Sequence, residues 1–278
     1  MSSFSSVSKD SVRDYWNARP CNVRHSTLPV GTREYFEAVA ERKYFVEYHI
    51  PEFADFDRWE GKRVLEVGCG LGTATVSFAL AGAEVTAVDM STESLALARQ
   101  NAATRGVSER VTFIEADAEE LTKYVDPEPY DLVYSFGVIH HTPCPERAIC
   151  EMRRYLDPGG TLKLMVYSRW SAKVMRIILE DGHGRFWDHA RLVANASEAQ
   201  SGCPVTYTYS RRSGRRFVES AGFAVDDVYA DHIFPYRIPD YVEYRYKKRF
   251  PMNVLPYRAT RAVEHALGWH LCITAHAV

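Results

Sequence analysis

The sequence predicts an α/β fold: a doubly wound, mostly parallel, seven-stranded sheet with helices on both faces and an antiparallel last strand. Three observations carry this. Apolar, β-branched runs alternate with helical patterns from Arg63 to Tyr167, the rhythm of right-handed βαβ crossovers over a parallel sheet. Gly68, Gly70 and Gly72 stand where the first run gives way to the first helix, and the carboxyl end of that strand is the usual ligand position in such sheets. The chain of 278 residues is 46% hydrophobic and 25% charged, ordinary globular usage.

In chain order, RVLEVG (63–68) is apolar, β-branched and glycine-bounded, so it reads as a buried strand. TATVSFALAGA follows with helical character, and EVTAVD (84–89) is the second strand. STESLALARQNAATRG is a helix with Ser91 as N-cap, Glu93 in the first turn and Gly106 as its stop. Its apolar positions Leu95, Ala98 and Ala102 recur at helical spacing. Strands three and four are 110–117 and 130–137. ERAICEMRRYLDPGG is a helix ended by the turn Asp157-Pro158-Gly159-Gly160, and strand five is 161–168. The rhythm breaks over 169–209, which holds a helical, partly charged segment. It resumes with a helix at 210–221 and a strand at 223–231, breaks again over 233–268, and closes on 269–277 as an edge or antiparallel strand. The economical division is an N-terminal arm, 1–60, and one domain, 61–278, with insertions at 169–209 and 233–268.

A formal net charge of −2 gives no global attraction to nucleic acid or anionic membrane. No apolar run is long enough to span a bilayer. The start, MSSFSSVSKD, lacks the apolar core of a signal peptide and reads as a disordered tail. Cys21, Cys69, Cys144, Cys150, Cys203 and Cys272 form no CxxC pair and read as reduced thiols of a cytoplasmic protein. The expected partner is a small molecule, not nucleic acid or membrane, and the expected state a monomer or homodimer.

The glycine loop narrows the ligand. Dinucleotide sites use G-x-G-x-x-G/A, whereas the spacing here is G-x-G-x-G, with Thr73 where a small third residue belongs. Glu66, two residues before the loop, would repel a pyrophosphate and suits a cationic head. Asp89 ends the second strand, where an acid takes ribose hydroxyls. Ribose and a positive centre without phosphate describe S-adenosylmethionine (SAM).

At these residues the chain resembles the class I SAM-dependent methyltransferases, with their Rossmann-like fold. EVGCGLG looks like the family's first motif, VTAVD its second, IEADAEEL its third, and YDLVYSFGVIHHTPCPERAICEMRRYLDPGGTL its fourth and fifth. The resemblance runs motif by motif over 61–168 and points to the small-molecule branch that includes quinone and natural-product enzymes. It implies that Gly68, Gly70 and Gly72 pass beneath the methionine and ribose. Asp89 would bind the ribose hydroxyls and Met90 pack on adenine. Asp117 would accept the adenine amino group, and Ala118 would donate its N–H. Ser135 and Phe136 would line the methionine end. An N-terminal lid helix is also implied, with Tyr15 facing the active site.

Methyl transfer from a sulfonium is an in-line displacement, so the protein mainly aligns the acceptor and excludes water. A base matters only when the acceptor must lose a proton. His140, the first choice, and His141 follow strand four beside the expected methyl and titrate in the right range. A metal held by His140, His141 and Cys144 lacks a nearby fourth ligand, so none is expected. The two insertions leave the sheet where an acceptor would enter. They supply Tyr207, Tyr209, Phe234, Tyr236 and Tyr241, an aromatic wall suited to a flat or apolar acceptor. The basic run YRYKKRF (244–250) reads first as a solvated charged face, with a phosphate, a carrier-protein acid or RNA as the alternative ligands. The expected activity is methyl transfer to O or N of a small metabolite of specialised biosynthesis. The alternatives are cyclisation on a SAM-derived adduct, a peptide or carrier-bound acceptor, or a silent SAM-binding regulator.

Overall fold

The computed structural model describes residues 4–196 and 202–278. The arm contributes α1 (Lys9–Ala18), α2 (Arg33–Val46) and α3 (His49–Ala54). Then come β1 (Arg63–Val67), α4 (Thr73–Leu80), β2 (Glu84–Asp89), α5 (Thr92–Thr104), β3 (Val111–Glu115), β4 (Leu132–Phe136), α6 (Pro145–Arg153) and β5 (Thr161–Tyr167). The first insertion carries α7 (Ala172–Glu180) and α8 (His189–Ala196), and α9 (Arg211–Glu219) leads into β6 (Phe223–Asp231). The second insertion carries α10 (Ile238–Val242) and α11 (Tyr257–Leu267) before β7 (His270–Ala277). Part of the first insertion, 197–201, and the first three residues of the expected tail lie outside the described residues.

The seven strands form one sheet in the order β3-β2-β1-β4-β5-β7-β6. The first five are parallel, and β7 runs antiparallel to both neighbours. Of the two places expected for the last strand, antiparallel is right and edge is not. β6 takes the edge, and β7, buried along most of its length, fills the gap beside β5. Alternate residues feed opposite faces, as the period of a strand requires. Val64, Leu132 and Tyr134 meet α4, α5 and Trp59, while Leu65, Val133 and Leu164 meet α6 and α9. Each fully buried large apolar side chain is worth roughly 1.5–3 kcal/mol.

Helix ends follow the chemistry read from the sequence. Ser91 Oγ accepts the Ser94 N–H at 3.1 Å, and Gly106 after α5 has φ +70°. The N-terminal stretch departs from expectation. Ser8 caps α1 by accepting the Ser11 N–H, and Phe4 is buried with Val12, Ala194 and Val205. Apolar Phe4 and Val7, not the serines around them, decide that outcome. No helix among the described residues is long and apolar enough to cross a membrane.

Candidate functional site

Strand order reverses between β1 and β4, which opens a crevice at their carboxyl ends. A cavity of about 720 Å³ begins there and runs beneath both insertions. Its floor is the loop after β1. Gly68 has φ +83°, and a Cβ there would lie 2.2 Å from Val138 Cγ2; Gly70 has φ +53° and open space where a Cβ would go. Gly72, φ +71°, is the N-cap of α4, and its missing Cβ lets Ala98 of α5 approach. Gly68 and Gly70 line the cavity and Gly72 does not.

Asp89 lines the cavity and holds the loop: Oδ2 accepts the Gly70 N–H at 2.8 Å and Oδ1 the Ser91 N–H at 2.9 Å. Burial raises its pKa, against the pull of those backbone donors. Asp117 caps the turn after β3 by accepting the Glu119 N–H at 2.8 Å, and Lys9 of α1 reaches its other oxygen at 2.5 Å. Met90, Asp117, Ala118 and Phe136 all line the cavity, as the motifs imply.

Glu66 does not face the cavity. It shares the face of Val64 and is 4% exposed, accepting the Thr75 hydroxyl of α4. Burial pushes its carboxyl up to about 7, so it does not present a fixed negative charge near neutrality. Ser135 is also turned away, its hydroxyl donating to the Val67 carbonyl at 3.0 Å and tying β4 to β1.

The two histidines separate sharply. His141 lines the cavity, and its Nδ1 lies 2.7 Å from the Val205 carbonyl. A carbonyl only accepts, so Nδ1 carries the proton and Nε2 the lone pair. His140 lies behind it, 0% exposed, packed on Tyr167 at 3.9 Å between ring centroids. Neither of its ring nitrogens has a hydrogen-bond partner among the described residues, and burial, with His141 and Lys173 near, holds its pKa far down. The expectation that led with His140 is therefore corrected: one residue along a tight turn rotates the side chain out of the cavity.

Tyr15 is corrected in the same way. Its hydroxyl donates to the Gly202 carbonyl, while Val12 and Trp16 of α1 line the cavity instead. Their i, i+4 spacing was the available signal for that face. Of the expected aromatic wall, Phe234 and Tyr241 line the cavity. Tyr236 is buried between Phe45, Tyr241 and Tyr246, Tyr207 bonds the Pro143 carbonyl, and Tyr209 packs on Phe217. Backbone bonds explain the last two, because Tyr207 N–H reaches His140 and Tyr209 N–H reaches Tyr167.

Other lining residues carried no motif. Lys43 of α2 and Glu47, which caps its carboxyl end, face in together. His232, with φ +65°, sits beside His270, which meets His49 at 3.0 Å. Burial pushes His232 down to about 3 and His49 to about 4. The second insertion is fastened to the arm by Arg42, which stacks on Tyr241 and Tyr244 and donates to the Tyr241 carbonyl at 2.7 Å.

Residues 65–164 match a family described as a methyltransferase domain. The ubiquinone biosynthesis O-methyltransferase of Photorhabdus laumondii is 39% identical over 101 residues, 36% of this chain and 40% of that protein. Its counterpart in Pseudomonas syringae pv. tomato is 33% identical over 145 residues, 48% of this chain and 61% of that one. The chain thus spans 40% to 61% of these relatives' own length. Among solved structures, a magnesium protoporphyrin IX methyltransferase from Synechocystis PCC 6803 with bound SAH aligns with TM-score 0.61 at 16% identity, over 98% of this chain and 100% of that one. The cyclase SpnF aligns with TM-score 0.58 at 18% identity, over 96% of this chain and 94% of its own. At such identities the likeness is one of fold.

Proposed function

Because the chain belongs to the class I SAM-dependent methyltransferases through its domain at 65–164, we propose that it methylates an oxygen or nitrogen of a small metabolite, in the cytoplasm, in specialised biosynthesis. The observation that carries this is one continuous cavity. It joins the glycine loop, Asp89 and Asp117 to a wall of Phe234, Tyr241 and Trp269. Its volume of about 720 Å³ is in the upper part of the range of single-ligand pockets.

The residues fit SAM. The open space at Gly70 admits a ligand against the backbone, and Asp89 at the end of β2 and Asp117 just past the adjacent β3 lie where hydroxyl and amino groups can be bonded. Glu66, buried behind the loop, accepts the Thr75 hydroxyl of α4. When bound, SAM supplies the electrophilic methyl. The chain's own part is to exclude water, through Val12 and Trp16 on one side and the insertions on the other, and to take the acceptor's proton. His141 is the better base. Its tautomer is set by Val205, whereas a pKa of about 3 makes His232 a poor proton acceptor.

Mass spectrometry after incubation with SAM and small phenols, catechols and amines tests the reading. A product one methyl heavier, with S-adenosylhomocysteine (SAH) formed in equal amount, is expected. Rearranged product without added mass would favour cyclisation, and absence of SAM and SAH binding would overturn the proposal.

A further inference from the structure

The acceptor half of the cavity is unusually cationic. Arg24, Lys43, Lys173, Arg176 and Arg249 line it, and the carboxylates lining the cavity are Glu47, Asp89 and Asp117 among the described residues. Asp89 and Asp117 are already engaged by the loop N–H groups and by Lys9. On the acceptor side the carboxylate is Glu47, 3.7 Å from His270.

Arg249 is the most telling of these cations. It ends the basic run read from the sequence as a solvated face, and the structure divides that run. Arg245 and Lys247 are exposed and pair with Asp240, at 3.1 and 3.6 Å. Arg249 instead turns inward, guided by its N–H bond to the Pro235 carbonyl, and is partly buried. Its guanidinium has no hydrogen bond or ion pair among the described residues. Its charged neighbours are Arg176, a like charge from the other insertion, and Glu180. Glu180 is itself shared with Arg176 at 3.8 Å. Burial and Arg176 together press the Arg249 pKa downward. Arg176 and Arg249 line the same cavity from separate insertions, and like charges facing a partly dry space are eased by an anion between them. Planar N–H forks are suited to oxygen anions.

We propose that Arg249 and Arg176 form an anion subsite that anchors the methyl acceptor by a carboxylate or a phosphate monoester. This deepens the proposed function and rests on it. The aromatic wall receives the body of the acceptor, and the guanidiniums fix its remote end. Because both arginines come from the insertions and not from the strand ends, the anion anchors the acceptor and is not the atom methylated.

The test uses the full chain saturated with SAH and three matched probes: benzoate, phenyl phosphate and benzamide, titrated by calorimetry. Benzoate or phenyl phosphate should bind about tenfold or more tightly than the neutral amide. Whichever acid is preferred identifies the anion. Arg249→Gln and Arg176→Gln should each close that gap, Arg249→Lys should restore part of it, and Lys248→Gln, an exposed neighbour, should leave it intact. SAH affinity should be the same in all four variants, which shows each is folded. Equal binding of acid and amide to the wild type, or a gap that survives both glutamine variants, would overturn the subsite. SAH that fails to bind the wild type would instead overturn the methyltransferase reading.

Discussion

Gly68 and Gly70 show how two glycines of one motif do different work. At Gly68 an added Cβ meets Val138 in a left-handed backbone, so Gly68→Ala should cost stability outright. At Gly70 the backbone is also left-handed but the space is open, so Gly70→Ala should fold at a cost of about 1–2 kcal/mol. Its methyl enters the cavity, so SAH affinity should fall about tenfold or more, which calorimetry beside a denaturation curve would separate. Asp89→Asn keeps the shape and removes the charge that two N–H groups point at. SAH binding should weaken by at least about tenfold. His141→Ala should lower kcat by about 100-fold or more with SAM affinity nearly unchanged. His140→Leu should not lower the Tm, since the ring has no hydrogen bond to lose. Equal activity in the His141 variant would remove it as base. The pair HH was legible as chemistry from the sequence, but which ring faces the cavity depends on the turn's rotation, and identical neighbours carry no mark of that.

Helix α1 is the element whose placement matters most for turnover. Val12 and Trp16 close the cavity, and Lys9 pins the helix to Asp117, Glu119 and Glu120. Lys9 keeps about a third of its side chain in solvent while its partners are largely buried, so losing about 1 kcal/mol with Lys9→Ala should speed SAH release about fivefold. Stopped-flow dissociation would measure this, and hydrogen exchange in α1 should rise in parallel. An unchanged release rate would mean that α1 is packed in place by Phe4, Val12 and Trp16 alone. This helix was expected only through the family resemblance, and its start at Ser8 lies in the stretch read as a disordered tail. Its docking was not legible, because the surface it meets is assembled from Met90, Ala194 and Val205, far apart in sequence. The insertions behave likewise: their aromatic content was plain, but only Phe234 and Tyr241 of the expected wall face inward.

For the whole molecule, buried histidines set the response to pH. Burial holds His25 and His49 at about 4 and His232 at about 3, below the ordinary value of 6.5. The unfolded chain therefore binds protons that the folded one refuses. Stability is full above about pH 6.5 and is lost as pH falls toward 4, at up to roughly 1.4 kcal/mol per pH unit for each such residue. Glu66 acts in the opposite sense, since its raised pKa favours the fold below about pH 4.5 and that gain is lost as pH rises toward 7. Three histidines outweigh one carboxyl, so the unfolding free energy from urea titration should drop by roughly 3 kcal/mol between pH 7 and 5; a flat profile would show that these rings are hydrated. SAH at 100 times its Kd should add about 2.7 kcal/mol, and NAD nothing. The sequence by itself determined the sheet, its strand order of appearance, the glycine loop and the acids at the ends of β2 and β3. These are local patterns, in which period and turn chemistry act over a few residues. Only the tertiary structure decided that Glu66 is buried, that His141 and not His140 faces the cavity, and that Arg249 leaves its basic run to line the cavity. Those outcomes depend on which surfaces are brought together from different elements, and no spacing within a single element encodes them.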